Sequence, residues 1–156
     1  FHIPRSLQKS RKKNKFRFTT DVAFRAVVES CADRRETWIC RDIEDLFGQL
    51  HGLGFAHSVE AWDPSGKLVG GVYGLSIGGV FAGESMFHLE PGASKLCIVA
   101  LVEHLTNLGY GTLDCQQQTP HMQRFGARMI SDENYSALLS SQAAPLEWHA
   151  KTFPTD

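Results

Sequence analysis

The sequence predicts an α+β fold, a mixed central sheet flanked by helices, in one compact unit. Three observations carry that reading. Apolar residues recur at helical spacing in Arg41 to Gly52 and again in Ala93 to Leu108. Between them, three β-rich runs are joined by the turn sequences Asp63-Pro64-Ser65-Gly66 and Gly78-Gly79, the pattern of an antiparallel meander. Short strand-like runs then return after the long helix, so the sheet must mix strand directions.

Taken in order, Thr19-Thr20-Asp21 offers N-caps for a helix over about 20–31, in which Val22, Ala23, Ala26 and Val27 share a face. A second helix over 41–52 places Ile43, Leu46, Phe47 and Leu50 on one side and ends at Gly52 and Gly54. Strands follow at 58–62, 67–77 and 80–87. Gly70, Gly71, Gly74 and Gly83 interrupt them, which points to bulges or to close approach by another backbone or a ligand. Pro91 and Gly92 precede the helix over 93–108, which Gly109 and Gly111 close. A strand over 112–116, a short helix over 120–125, a strand over 127–131 and a helix over 134–141 complete the expected order ααβββαβαβα.

At 156 residues and 42% apolar composition the chain can bury one good core. Cys31, Cys40, Cys97 and Cys115 lack metal-binding or disulfide-framework spacing and read as reduced thiols. The seven histidines form no metal-ligand spacing with them, so no metal site is expected. No apolar run approaches the ~20 residues that cross a bilayer, and no targeting segment is visible. These features favour the cytoplasm. A net charge of −1 conceals an asymmetry. Residues 1–20 carry Arg5, Lys9, Arg11, Lys12, Lys13, Lys15 and Arg17 with no acid, leaving nine positive and seventeen negative side chains on the rest. The division expected is a basic arm over 1–20 on an acidic body over 20–156. Such an arm can neutralise nucleic-acid phosphates, or be a solvated tail.

Two segments carry the chemistry. Phe81-Ala82-Gly83-Glu84-Ser85-Met86-Phe87 and Leu113-Asp114-Cys115-Gln116 set isolated acids and an amide among apolar and small residues. An unpaired buried carboxylate costs several kcal/mol or more, so each acid needs a partner. Asp114 and Gln116, two apart, are expected on one strand face, with Cys115 on the other. A structural alternative has Asp114 capping a helix and Gln116 satisfying a strand end. Glu84 could equally form a salt bridge with Lys95 or an arginine.

The element order resembles the Gcn5-related N-acetyltransferase-like fold, in which a split sheet holds an acyl donor where two strands diverge. Acetyl-coenzyme A users need a glycine-rich pyrophosphate loop. The segment at that place, His88-Leu89-Glu90-Pro91-Gly92-Ala93-Ser94-Lys95, has one glycine, a proline without an amide, and an acid that repels phosphate. Coenzyme A is not expected, and no other cofactor is. At finer grain, Trp38-Ile39, His57-Ser58-Val59-Glu60, Gly70-Gly71-Val72-Tyr73-Gly74, Phe81 to Phe87, Ala93-Ser94-Lys95 and Leu113 to Gln116 occur in the order and spacing of bacterial leucyl/phenylalanyl-tRNA–protein transferases. The chain resembles that family from about Phe1 to Tyr135.

The resemblance implies transfer of Leu or Phe, with Met a third candidate, from aminoacyl-tRNA to acceptor proteins bearing an N-terminal Arg or Lys, marking them for N-degron proteolysis. It assigns catalysis to Asp114 and Gln116 and puts Glu84 beside the aminoacyl end. It lines the side-chain pocket with Val72, Phe81, Met86, Ile98, Leu101, Leu105 and Leu113, an apolar set that as a stripe alone reads as core. Trp38 would stack on the terminal adenine, unless it is a core tryptophan. The basic arm would hold tRNA phosphates. Family members carry a preceding domain that this chain, opening at Phe1-His2-Ile3-Pro4, is expected to lack. Thr119 stands where an asparagine is usual, and Val72, Leu101 and Leu105 are smaller than the common choices, which bears on donor preference. The segment after Ser141 matches poorly and is expected to be irregular. Outside the resemblance two other functions remain open: a coenzyme A-dependent N-acyltransferase, and a non-catalytic module that binds tRNA or protein.

Overall fold

Strand alternation around Val72 and Tyr73 shows how the molecule is layered. Val72 packs with Val59, Phe81, Leu96 and Leu101 on one face of the sheet, while Tyr73 packs with Phe24, Val27 and Phe47 on the other. The computed structural model describes residues 1–13, 15–141, 148 and 151–153. Its elements are α1 (Arg5–Arg11), β1 (Arg17–Thr20), α2 (Phe24–Ala32), α3 (Arg41–Gly52), β2 (Ala56–Trp62), β3 (Leu68–Ile77), β4 (Val80–His88), α4 (Ala93–Leu108), β5 (Thr112–Asp114), α5 (Pro120–Gln123), α6 (Asp132–Leu139) and β6 (Lys151–Thr152). The sheet order is β5-β4-β3-β2-β1-β6, antiparallel throughout except for a parallel β4–β5 pair. The expected α+β class and mixed sheet are what the structure has.

Two glycines let helices close on both faces at one level of β3. A Cβ on Gly70 would lie 2.6 Å from that of Ala93 in α4, and one on Gly71 would lie 2.9 Å from Val27 in α2. The long buried stripe of α4 covers one face, and α2 with α3 covers the other.

The segment expected as a free basic arm is part of the fold. Leu7 of α1 and Phe16 are buried in the α4-side core, and β1 pairs with Trp62 to Val59 of β2. Basic side chains alternate with these anchors, so the charges stay outside while the backbone is fixed. The expected 20–31 helix accordingly begins only at Phe24. Thr19 and Thr20 belong to β1, and Asp21 turns the chain with φ 57°. Asp21 is fixed there because its carboxylate accepts from the Ser58 amide at 2.8 Å and meets His57 Nδ1 at 2.8 Å. The expected strand at 127–131 is irregular, with Met129 and Ile130 exposed, and β5 is left as the sheet edge. Within the segment after Ser141, expected to be irregular, Trp148 stacks on His57 and on Phe81, and Lys151–Thr152 instead form a strand paired with β1.

Glu60 is wholly buried in β2, where Thr19 and Ser58 hydroxyls each donate to it at 2.5 Å. Trp62 Nε1 donates to Thr19 Oγ1 at 2.7 Å and completes the chain. Burial raises the Glu60 carboxyl above its ordinary 4.5; the hydroxyl bonds and the Ala23 amide oppose this, and Asp21 adds to it. A raised native pKa stabilises the protein fully below the ordinary value, and that stability is lost as pH rises through the raised value. Glu60→Gln, a neutral mimic of the protonated acid, is expected to match wild type near pH 4 and to gain in Tm relative to it as pH rises. Calorimetric melting across that range checks this; a constant difference would mean that Glu60 does not titrate.

Candidate active site

β4 and β5 pair over only three positions, Val80 with Thr112, Phe81 with Leu113 and Ala82 with Asp114, and then part. At the parting point β4 carries a bulge. Tyr73 of β3 faces Ser85 and Gly74 faces Gly83, leaving Glu84 as the extra residue. The bulge resets side-chain parity, so Met86 faces the same side as Phe81 although they are five positions apart. Glu84, two residues before Met86, keeps that side and lines the gap.

That gap is a cavity of about 180 Å³ lined by Val72, Met86, Ile98, Leu101 and Leu113, with Met122 of α5 on its far wall. Glu84, Asp114 and Gln116 give it one polar end. Most of the expected pocket set therefore converges here. Phe81 and Leu105 do not: Phe81 is fully buried and Leu105 is 3% exposed, both packed within the α4-side core. Phe81 lies before the strands part, where Leu113 and Trp148 cover it, and Leu105 lies a turn beyond Leu101.

Asp114 and Gln116 do not share a strand face. β5 ends at Asp114, and Gln116 stands beyond it in the left-handed region with φ 61°. Such a backbone costs a non-glycine residue about 1 kcal/mol or more unless local bonds hold it. Here Asp114 Oδ1 accepts from the Gln116 backbone N–H at 2.7 Å. Asp114 Oδ2 accepts from the Tyr135 hydroxyl at 2.8 Å, so α6 fixes the carboxylate in turn. The Gln116 side chain is thereby turned toward β4, where Nε2 donates to Glu84 Oε2 at 3.3 Å. Cys115 lines the cavity instead of facing away, because strand alternation has already stopped.

Burial raises the Glu84 carboxyl above its ordinary value, the Gln116 bond lowers it, and the Asp114 charge raises it again. Lys95 does not reach Glu84; it lines a separate pocket. Trp38 is 55% exposed, so it is not a core tryptophan. Its neighbour Ile39 is the buried anchor of that loop. Four residues earlier Arg34 donates to the Met86 carbonyl and, at 3.5 Å, to Ser85 Oγ, tying the loop to the cavity's β4 wall. Arg34, Tyr135 and Met122 were not legible as site residues. Tyr135 and Met122 lie in short helices with no distinctive pattern, and Arg34 is one charge among several.

Of the basic set, Arg5, Lys9, Lys12 and Lys13 are exposed without an ion-pair partner among the described residues. Arg11 pairs with Glu103 at 2.5 Å, Lys15 pairs with Glu90, and Arg17 lies over the Trp62 ring at 5.5 Å. All four cysteines are free thiols, and no described helix is long and apolar enough to cross a membrane. Among the described residues one group of metal-ligating type converges, Asp21, His51 and His57. Its atoms are engaged in holding the β1–β2 junction: His57 bridges Asp21 and the Gly54 carbonyl, and His51 Nδ1 lies 2.8 Å from the Ala56 carbonyl oxygen.

A mixed sheet that opens between two parallel strands over an apolar, polar-ended cavity is an acyltransferase-like architecture. A solved chain described as an acetyl transferase from Pyrococcus furiosus shares the fold, with a TM-score of 0.50 and 14% identity over 73% of this chain and 96% of its own. Within that class the sequence is decisive. The profile of the family described as leucyl/phenylalanyl-tRNA protein transferase matches residues 1–140. Proteins of that name from Rubrobacter xylanophilus and Herpetosiphon aurantiacus are 48% and 45% identical over 89% of this chain and 73% and 72% of their own lengths. One from Syntrophotalea carbinolica is 43% identical over 99% of the chain and 67% of its own. The chain belongs to the leucyl/phenylalanyl-tRNA–protein transferase family, a family of aminoacyltransferases.

Titration of Glu84 by carboxyl NMR is expected to give a midpoint above 4.5. Removing the hydrogen bond with Gln116→Ala is expected to move it further up, and removing the neighbouring charge with Asp114→Asn to move it down. A midpoint insensitive to both would mean that the three groups are not coupled.

Proposed function

We propose that this site transfers the aminoacyl group of a charged tRNA to the α-amine of an acceptor protein with an N-terminal Arg or Lys: the peptide bond forms as the ester to the terminal ribose breaks, and the amine's proton ends on the departing ribose hydroxyl. An aminoacyl ester is already activated, so the site's task is to align amine and carbonyl and to manage one proton. The observation that carries the reading is the Gln116–Glu84 hydrogen bond at the mouth of an apolar cavity. With Nε2 given to Glu84, the Gln116 carbonyl oxygen is free to accept from the attacking amine. Asp114 keeps Gln116 in its left-handed turn and Tyr135 keeps Asp114 in place; both are positioning residues in this scheme. Glu84 accepts from the donor's α-ammonium group or its ribose hydroxyls.

The cavity takes the donor side chain, Leu or Phe, and Met86 lets it accept both branched and flat shapes because a thioether adapts. Trp38 stacks on the terminal adenine from the loop tied down by Arg34. The exposed cations of α1 and the turn after it contact tRNA phosphates. The product, a new N-terminal Leu or Phe, serves regulated proteolysis in the cytoplasm, a compartment that fits free thiols.

Transfer of labelled Leu, Phe or Met from charged tRNA to a protein beginning with Arg or Lys tests the reaction. Asp114→Ala and Gln116→Ala are each expected to lower kcat/KM by about 10²-fold or more, the range of a positioned proton-handling group. Glu84→Ala is expected to act mainly through KM for the donor. No transfer by the wild-type chain, with acetyl-coenzyme A accepted instead, would falsify the scheme.

The basic surface predicts salt sensitivity. The log–log slope of tRNA affinity against salt is expected to flatten by about 0.7 to 0.9 for each phosphate contact removed. Lys12→Gln and Lys13→Gln are expected to show this. An unchanged slope in both would move the tRNA contact elsewhere.

A further inference from the structure

A second pocket, of about 220 Å³, lies where α1, the start of α4 and α5 meet, and none of its lining residues belongs to the site described above. Lys95, His121 and Arg124 converge on it, beside Ser10 of α1 and the Pro91-Gly92 turn. Neither Lys95 nor Arg124 has a carboxylate partner among the described residues. The acid nearest in sequence, Glu90, is taken up by Lys15. The carboxylate that reads in the sequence as repelling phosphate is thus neutralised from the N-terminal segment. His121 is held below its ordinary range, first by burial and then by the Lys95 and Arg124 charges. Three like-charged or chargeable groups share one concavity with no described carboxylate paired to Lys95 or Arg124, a local excess of positive potential that attracts an anion.

The position identifies the anion. On α4, Lys95 lines this pocket while Ile98 and Leu101 line the active cavity, so one helical turn, about 4.5 Å of rise, separates the two. On α5, His121 and Arg124 face this pocket while Met122 faces the cavity. An aminoacyl group in the cavity is esterified to the terminal ribose of its tRNA, and that ribose carries the nearest phosphate on its other side, within one nucleotide's reach. An acceptor protein with a cationic N-terminus would be repelled here.

Resting on the proposed reaction, we infer that Lys95, Arg124 and His121 form a phosphate pocket for the phosphodiester linking the last two nucleotides of the donor tRNA. Its role is registry. Fixing the last phosphate sets the distance from strand to ester, so that the carbonyl meets Gln116 and Glu84 at the cavity mouth.

The test is a binding cycle that needs no turnover. A short fluorescent single-stranded RNA with the sequence of a tRNA 3′ end is prepared with either the natural last linkage or an uncharged methylphosphonate there. Wild type is expected to bind the neutral linkage about tenfold more weakly, the size of one charge-assisted contact. The Lys95→Gln/Arg124→Gln variant is expected to bind the natural RNA about tenfold more weakly and to be indifferent to the linkage, and Lys95→Arg to keep the discrimination. Wild type indifferent to the linkage, or a double variant that still discriminates, would overturn the pocket while leaving the transfer reaction standing. Failure of transfer with discrimination intact would sink the reaction and not the pocket.

Discussion

The active cavity depends on how briefly β4 and β5 pair. Three parallel positions fix Leu113 and Asp114 against β4, and the strands then separate because β5 stops and β4 bulges. Longer pairing would close the gap with backbone hydrogen bonds and leave no room for a ligand. Without the bulge, alternation would turn Met86 and Glu84 away from the α4 face and divide the polar end from the apolar wall. A break in regular structure at one point of the sheet therefore supplies both the cavity and its polar end.

The polar end is organised in sequence from the rim inward. Tyr135 orients Asp114, Asp114 holds the Gln116 backbone in a conformation its side chain disfavours, and Gln116 reaches Glu84. Each link joins a different element, α6 to β5 to β4, so the geometry exists only when the whole unit is assembled. Apart from Arg34, which is bonded to the Met86 carbonyl and Ser85 Oγ on the β4 wall, the cationic side chains described above lie away from this relay. They occupy the outside of α1 and the junction with α4 and α5, which separates a cationic surface from the polar end of the cavity.

Regular elements were the legible part of the fold. The helices at 41–52 and 93–108 and the three-stranded meander came from periodicity and turn residues, local properties that tertiary contacts did not override. The fold departs from local pattern where pairing decides the outcome. Thr19 and Thr20 look like helix caps, but their hydroxyls and backbone are used by β1, with Thr19 bonded to the buried Glu60. Residues 127–131 have strand-like composition, but no described strand pairs with them. The basic segment looks like a tail because its charges dominate, yet Leu7 and Phe16 are enough to anchor it.

At the site, the sequence alone determined which side chains stand out as candidates: Glu84, Asp114 and Gln116 are conspicuous because acids and amides in apolar surroundings need partners, and motif order pointed to the family. Tertiary structure decided which partner each one has and which apolar residues line a cavity instead of filling the core. Phe81 and Met86 are indistinguishable in a one-dimensional pattern, and a single bulge with one strand end separates them. Spacing records periodicity within an element. It does not record where two elements stop touching, and the cavity is made at that boundary.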